Sequence, residues 1–443
     1  MSSDRPNVLL ILSEQWSTRV ADGSGDYGSP IRTPGIDRLA SEGIRFEESY
    51  SSFPLCSPAR ASLFTGLMPH RHQIVDNEEL YEDAGEELPA RDDIVTLGSA
   101  FKEAGYETAY FGKQHAAGYA CDGVETVGSM TFSAGGMLAE GSAYDPVFTG
   151  DAIAFLEQEH DRPFFLSLSL INPHDICKVL GGKVKGATFA DAIHFCRTDE
   201  ELYLRFQERP GLPSNHHVPW TEGMIRHRDY MYEELQAYTE NDWRRYIAAY
   251  YLLIENTDWH IRLVLQALAQ AGLERDTIIL FTSDHGDMMG SHGLIAKTVF
   301  YEESVQTQMI VRYPGRIAPG TVDRTSLVGS IDVMPTLLDL CGLKVPPGLD
   351  GQSFKSRCMG RQEGDFSHLF SESFDGRMLR FAQFKYVHSE VYGEEYEILF
   401  DLEADPEEAE NVFGKPGYED ASCYARTTLD VWLEREDLDL RFA

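Results

Sequence analysis

Five short apolar runs, each closing on polar residues, constrain the fold of this chain more than any other feature. They cover residues 7–13, 107–113, 164–171, 277–283 and 309–313. Each has the length of a buried strand. Between them lie helical patterns, clearest over residues 243–272. There Ile247, Tyr250, Tyr251, Ile254, Ile261, Leu265 and Leu268 recur at helical spacing, and Gly272 suits the helix end. Strand alternating with helix predicts an α/β fold, a large and mostly parallel sheet flanked by helices.

Sheets of this kind bind ligands in the crevice beyond the carboxyl ends of their strands. The residues that follow the runs are therefore the first candidates for chemistry. They are Glu14-Gln15, Lys113-Gln114-His115, Asn172-Pro173-His174-Asp175 and Asp284-His285-Gly286-Asp287. Carboxylates, imidazoles and an ammonium recur there, groups that bind metals and oxyanions.

The strand–helix pattern carries residues 1–350 as one catalytic unit. Within it, residues 179–240 lack strand pattern and are rich in Tyr, His, Glu and Arg, which predicts a helical insertion near the cleft. Beyond residue 350 the pattern changes. Strands over 378–388 and 396–402 and a last helix over 424–435 predict a small antiparallel α+β subdomain spanning residues 351–443.

The chain has 443 residues and a formal net charge of −34, which excludes nucleic acid and anionic membrane as partners. A small anionic substrate remains compatible, because surface charge is screened over about 8 Å and a few buried cations can dominate a cleft. No apolar run approaches the roughly 20 residues that cross a bilayer. Met1 to Pro6 lead straight into the first strand without a secretory leader, so a cytoplasmic location is expected, or a periplasmic or secreted one if a leader has been removed. The seven cysteines are scattered without a C-x-x-C pair, which argues against a disulfide framework or a structural zinc site.

One cysteine stands apart. In Cys56-Ser57-Pro58-Ala59-Arg60-Ala61-Ser62-Leu63-Phe64-Thr65-Gly66, Ser57 suits an N-cap, Pro58 a first helical turn and Gly66 a helix end. Cys56 is thereby expected at a helix N-terminus, a place that favours anions. The string C-x-P-x-R with its Phe-Thr-Gly ending resembles the signature of the formylglycine-dependent sulfatases of the alkaline phosphatase superfamily. The resemblance extends from Arg5-Pro6-Asn7-Val8 through Thr33-Pro34-Gly35-Ile36-Asp37 to Ile398-Leu399-Phe400-Asp401.

That resemblance implies hydrolysis of sulfate esters by a Cys56 oxidised to formylglycine, and so a formylglycine-generating maturation enzyme as partner. It implies a divalent cation held by Glu14, Gln15, residue 56, Asp284 and His285. Oxygen-dominated ligation favours Ca²⁺, with Mg²⁺ second. Glu14 departs from the family, which usually has Asp there. Lys113, in Gly112-Lys113-Gln114-His115, and Lys297 resemble the family's sulfate-gripping lysines. Arg60 is expected to orient the nucleophile, His115 to take its proton, His174 to protonate the leaving alcohol and His292 to line the leaving-group side.

Two other readings fit parts of the pattern. A phosphonate monoester or phosphodiester hydrolase of the same superfamily shares the C-x-P-x-R and D-H-G motifs, but the Lys113–His115 pair favours sulfate. A non-catalytic binder of sulfated glycans would not need the complete set. A sulfated carbohydrate is the expected substrate, because the insertion offers His216, His217, Trp220, Arg226, Arg228, Tyr230 and Tyr232 for sugar contacts, whereas His227 reads as a surface or contact residue.

Overall fold

A computed structural model of the chain describes residues 5–20, 31–78, 93–131, 140–177, 210–224 and 237–438, with Arg91, Leu204, Arg205, Gln207, Glu208 and Leu235. Eight strands form its main sheet: β1 (Asn7–Ser13), β2 (Ile44–Phe46), β3 (Glu107–Lys113), β4 (Thr126–Thr131), β5 (Phe164–Ser169), β6 (Thr277–Ser283), β7 (Met309–Arg312) and β8 (Thr321–Asp323). Their order is β4-β3-β5-β1-β6-β7-β2-β8. All neighbours run parallel except β7, which is antiparallel to both β6 and β2.

The order explains why the predicted chemistry converges. Strands β3, β5, β1 and β6 are consecutive and parallel, so the residues after them leave the sheet side by side at one edge. From β1 the chain runs first to β2 on one side of it and then crosses to β3 on the other, a reversal that opens a crevice above its carboxyl end.

Each central strand is buried on both faces and feeds two cores. In β1, Leu9 and Ile11 pack on one side with helix residues Phe148, Phe155, Tyr250, Ile254 and Leu265. Val8, Leu10 and Leu12 pack on the other with Ala61, Phe64, Val333 and Leu337. The helices concerned are α1 (Pro34–Glu42), α2 (Cys56–Thr65), α3 (Glu140–Leu156), α4 (Glu240–Gln270) and α5 (Val333–Leu340). Alternate strand residues thus face opposite helical layers, as period-two geometry requires. Helix α4 begins earlier than its apolar pattern does, because Thr239 and Asp242 cap each other reciprocally. It ends as expected, with Gly272 at φ +74°.

The second sheet is antiparallel: β9 (His368–Ser373), β10 (Gly376–Phe381), β11 (Phe384–Val391) and β12 (Glu394–Asp401). The strand expected over 378–388 is in fact a hairpin that turns at Ala382-Gln383, where Ala382 takes φ +43°. No Asn-Gly or Asp-Gly pair announces that turn, so the sequence pattern ran through it. One face, with Met378, Val387, Ile398 and Phe400, packs toward the main body. The other, with Leu379, Tyr386 and Leu399, is covered by α6 (Glu419–Glu436) through Ala425, Leu429 and Trp432. Phe354, Cys358 and Phe366, beyond the boundary expected at 350, still pack on the main sheet. Most of the expected insertion, 179–240, lies outside the described residues, and so do Arg226, His227, Arg228, Tyr230 and Tyr232. Among the described residues, no helix is long and apolar enough to cross a membrane.

Candidate active site

Cys56 is the first residue of α2, which begins two residues earlier than the expected cap at Ser57 implies. Leu55, in extended conformation, precedes the helix, and no side chain caps it. Ser57 is not the N-cap. Its Oγ accepts from the Glu78 N–H at 3.4 Å and its own N–H donates to Asn77 Oδ1 at 3.2 Å. Gly66 closes the helix at φ +68°, as expected. The start of α2 points Cys56 at the carboxyl ends of β1 and β6.

There Cys56 meets Glu14, Asp284 and His285, all buried, with one ligand atom from each of the four lying within 4.8 Å of the others. Cys56 Sγ stands 3.4 Å from His285 Nε2. His285 Nδ1 lies 3.0 Å from the Gly286 carbonyl, which only accepts, so Nδ1 carries the proton and Nε2 presents a lone pair to the cluster. Burial, opposed by Asp284 and Glu14, lowers the His285 pKa to about 4, which keeps the ring neutral. Glu14 Oε2 is buried with no hydrogen-bond partner among the described residues. A neutral imidazole and two carboxylates, one of them with an unsatisfied oxygen, form a donor set that fits a divalent cation.

Basic groups ring this cluster. Arg60, one turn after Cys56, donates from Nε to Asp284 Oδ2 at 2.9 Å and from Nη1 to Ser169 Oγ at 2.7 Å and the Lys113 carbonyl at 3.2 Å. Its Nη2 lies 3.9 Å from Glu14 Oε2. Burial works against its charge, but Asp284 and then Glu14 hold the guanidinium pKa above its ordinary value. Lys113, the last residue of β3, pairs with Glu14 Oε1 through Nζ. His174 Nε2 lies 3.6 Å from the same oxygen. Burial raises the Glu14 pKa, yet His174, Lys113, Arg60 and Lys297 together bring it well below the usual carboxylate range, so Glu14 is ionised.

His174 has the opposite balance. Burial first, and then Lys297, Lys113 and His285, lower its pKa far below the usual imidazole value against the pull of Glu14. With that balance the ring is neutral. Its loop is anchored from below: Asp145 accepts the N–H groups of Ile171 and Asn172, and Asp175 accepts those of Gly141 and Ser142 at the start of α3.

Lys297 Nζ donates to Gln15 Oε1 at 2.5 Å. Gln15, expected among the metal ligands, thus has one lone pair of its side-chain oxygen engaged by an ammonium. Its Nε2 donates to Asp287 Oδ2 at 2.5 Å. His115 is buried two residues past Lys113 with φ +40°. His292 is not brought to this cluster. Its ring stacks on Tyr301 with centroids 4.0 Å apart and neighbours Asn215, in a cluster with Glu303. Among the sugar-contact candidates, His217 is exposed, whereas His216 bonds the Gly290 carbonyl and packs edge-on against Trp243. Trp220 is partly buried against the cluster that includes Tyr301.

Ser169, Asp287, Tyr246 and Cys177 also belong to the site, and sequence reasoning gave them no role. Asp287 stood within the Asp-His-Gly-Asp segment, but nothing in the pattern said which neighbour it would hold.

Comparison with known proteins places this geometry. The family profile described as Sulfatase matches residues 6–343, and one described as N-sulphoglucosamine sulphohydrolase, C-terminal, matches residues 290–432. The chain is 30% identical over 461 residues to a Delta 4,5-hexuronate-2-O-sulfatase of Bacteroides thetaiotaomicron, covering 99% of this chain and 91% of that protein. A solved 2-O GAG sulfatase superposes with a TM-score of 0.82 at 28% identity, covering 99% of this chain and 95% of the other. The phosphonate monoester hydrolase of Agrobacterium radiobacter shares the fold, with a TM-score of 0.72 at 22% identity and coverage of 97% and 96%. The chain belongs to the sulfatase family and is a sulfuric ester hydrolase.

Proposed function

We propose that this sulfatase removes sulfate from carbohydrate esters, with Cys56 matured to formylglycine as its nucleophile and with a divalent cation at the Glu14–Asp284–His285 cluster. The observation that carries the reading is the convergence of Cys56, these three donors and two lysines at one strand edge. Formylglycine supplies an aldehyde whose hydrate is an oxygen nucleophile, which a thiol is not. A bound dication supplies Lewis acidity and positive charge beside that residue. Glu14, Asp284, His285 and residue 56 would hold it. The oxygen-rich donors suit Ca²⁺ first and Mg²⁺ second.

The remaining work falls to side chains. Arg60, fixed by Asp284, Ser169 and the Lys113 carbonyl, cannot swing away and keeps positive charge at residue 56. Lys113 and Lys297 bind the sulfate oxygens. One such contact at about 4 Å is worth about 4 kcal/mol at an effective dielectric near 20, before desolvation. His174 is neutral until an anionic ester stands opposite it. The ester's charge then draws a proton onto the ring, and the ring passes it to the departing alcohol. His115 accepts a proton from the nucleophile as sulfate leaves.

The carbohydrate assignment is supported by the relatives named as hexuronate and GAG sulfatases. Its test is a desulfation panel: 2-O-sulfated unsaturated hexuronates, other sulfated mono- and disaccharides, choline sulfate, an aryl sulfate and an aryl phosphonate monoester. Release of sulfate from a saccharide at a kcat/KM above all the non-sugar esters supports it. Preference for choline sulfate, the aryl sulfate or the phosphonate overturns it.

A further inference from the structure

Gln15 is an amide with two chemically opposite ends, and the pocket has a use for only one of them. Its Oε1 accepts from Lys297 Nζ at 2.5 Å, while its Nε2 donates to Asp287 Oδ2 at 2.5 Å. Reversal of the amide would aim N–H bonds at an ammonium. The backbone cannot set the choice. It is pinned by the Gln15 N–H to Asp284 Oδ1 at 3.0 Å and by Tyr250 to the Gln15 carbonyl, and it leaves the side-chain amide to rotate. Cys177 Sγ is 3.3 Å from Nε2 and 3.4 Å from Oε1, so it does not distinguish the ends either.

Asp287 does distinguish them. It is fully buried, and its two oxygens accept every hydrogen bond the structure gives it. Its Oδ1 takes the Tyr246 hydroxyl at 2.9 Å and the Met289 N–H at 2.8 Å, which leaves Oδ2 for Gln15. Three donors around one carboxylate fix its orientation. We propose that Asp287 is a positioning residue: it dictates which end of the Gln15 amide faces the pocket and thereby holds Lys297 in place for sulfate. The inference rests on the sulfatase reading above, and it assigns to the fourth residue of the Asp284-His285-Gly286-Asp287 turn a part in oxyanion binding.

Asp287→Asn tests it. The new side chain can keep its oxygen on Tyr246 and Met289 but then turns an NH₂ toward Gln15, which forces the amide to reverse. Outer partners of site residues are typically worth 10- to 100-fold in affinity or activity, so kcat/KM for an aryl sulfate should fall by about that factor. The stabilisation by inorganic sulfate, read as a rise in Tm, should shrink with it. Gln15→Glu alone sets two carboxylates against each other and should be impaired as well. In the double variant, the amide of the Asp287→Asn side chain donates to the carboxylate of Gln15→Glu, whose second oxygen receives Lys297. Recovery of kcat/KM and of the sulfate-induced Tm rise to within about tenfold of wild type is therefore expected, a reciprocal rescue that a merely structural role would not give. Wild-type turnover and sulfate binding in either single variant, or a double variant no better than the singles, would overturn the proposal. An Asp287→Asn protein too unstable to assay leaves the Gln15→Glu arm decisive. A wild-type protein that neither turns over aryl sulfate nor gains Tm with sulfate would instead defeat the sulfatase reading itself.

Discussion

Arg60 Nε donates to Asp284 Oδ2 across 2.9 Å, and neither side chain is exposed. The pair ties the nucleophile's helix to the strand edge that carries the cation donors. Cutting it has two separable consequences, one for stability and one for chemistry.

Arg60→Ala leaves Asp284 buried and unpaired. Breaking a buried pair from one side costs about 3–5 kcal/mol. Urea unfolding should show that loss, and activity should vanish. Arg60→Lys should also fail to restore activity, because one ammonium cannot serve Asp284, Ser169 and the Lys113 carbonyl at once. Wild-type stability in the Ala variant would contradict the assignment.

The two pocket lysines should behave differently. Lys113 pairs with the buried carboxylate of Glu14, whereas Lys297 donates to a neutral amide. Lys113→Met strands a charge and should lower unfolding free energy by about 3 kcal/mol. Lys297→Met takes a hydrogen bond from a neutral amide and weakens, without removing, the positive charge around Glu14, so its loss should be the smaller, about 1 kcal/mol, although both lose sulfatase activity. Equal stability losses in the two variants, measured in metal-free buffer, would go against this reading of the pocket.

Divalent cation binding should stabilise the protein. At a hundredfold excess over its dissociation constant, Ca²⁺ should add about 2.7 kcal/mol, and chelation should remove it. Glu14→Gln and Asp284→Asn should each weaken the effect. Calorimetric scans that show no response to Ca²⁺ or Mg²⁺ would argue against a cation site at the cluster.

Acid should destabilise the fold through His72. His72 Nδ1 accepts the Ile74 N–H at 3.1 Å, so Nε2 carries the proton toward Ser62 Oγ at 2.9 Å, on helix α2. Burial first, and then His70, bring its pKa from 6.5 down to about 3. Because the folded value is depressed, the stability it contributes is complete above the unfolded value and is lost as pH falls toward the folded one. Between pH 6.5 and 5 that amounts to on the order of 2 kcal/mol. Urea titrations of wild type and His72→Gln should differ in slope across this window, the variant being flatter. Parallel pH profiles would count against it.

Much of this architecture was legible in the sequence because the central strands are buried on both faces. Such strands read as unbroken apolar runs, and the polar residues that follow them stand out, which is why Glu14, Lys113, His174 and Asp284 could be named together. The hairpin at Ala382-Gln383 was hidden because its turn uses neither Gly nor Asn. The cap at Ser57 failed because Asn77 and Glu78, distant in sequence, claim that side of the residue. The surroundings of His292, expected on the leaving-group side, were not legible either: its ring stacks on Tyr301, nine residues on. Hydrogen-bond direction was the least legible property of all: nothing beside Glu14 announces that Gln15 bonds Lys297 and Asp287, because those contacts join three segments that meet only in the folded chain.

Expression in a host whose maturation enzyme acts on cysteine alone gives the decisive comparison: the mass of the peptide containing residue 56, together with aryl sulfate turnover, for wild type, Cys56→Ser and Cys56→Ala. Wild type should show the aldehyde mass and turn over substrate, with activity tracking the converted fraction, while both variants stay unconverted and inactive. Turnover by an unconverted thiol, or by either variant at the wild-type rate, would contradict formylglycine at position 56 as the nucleophile.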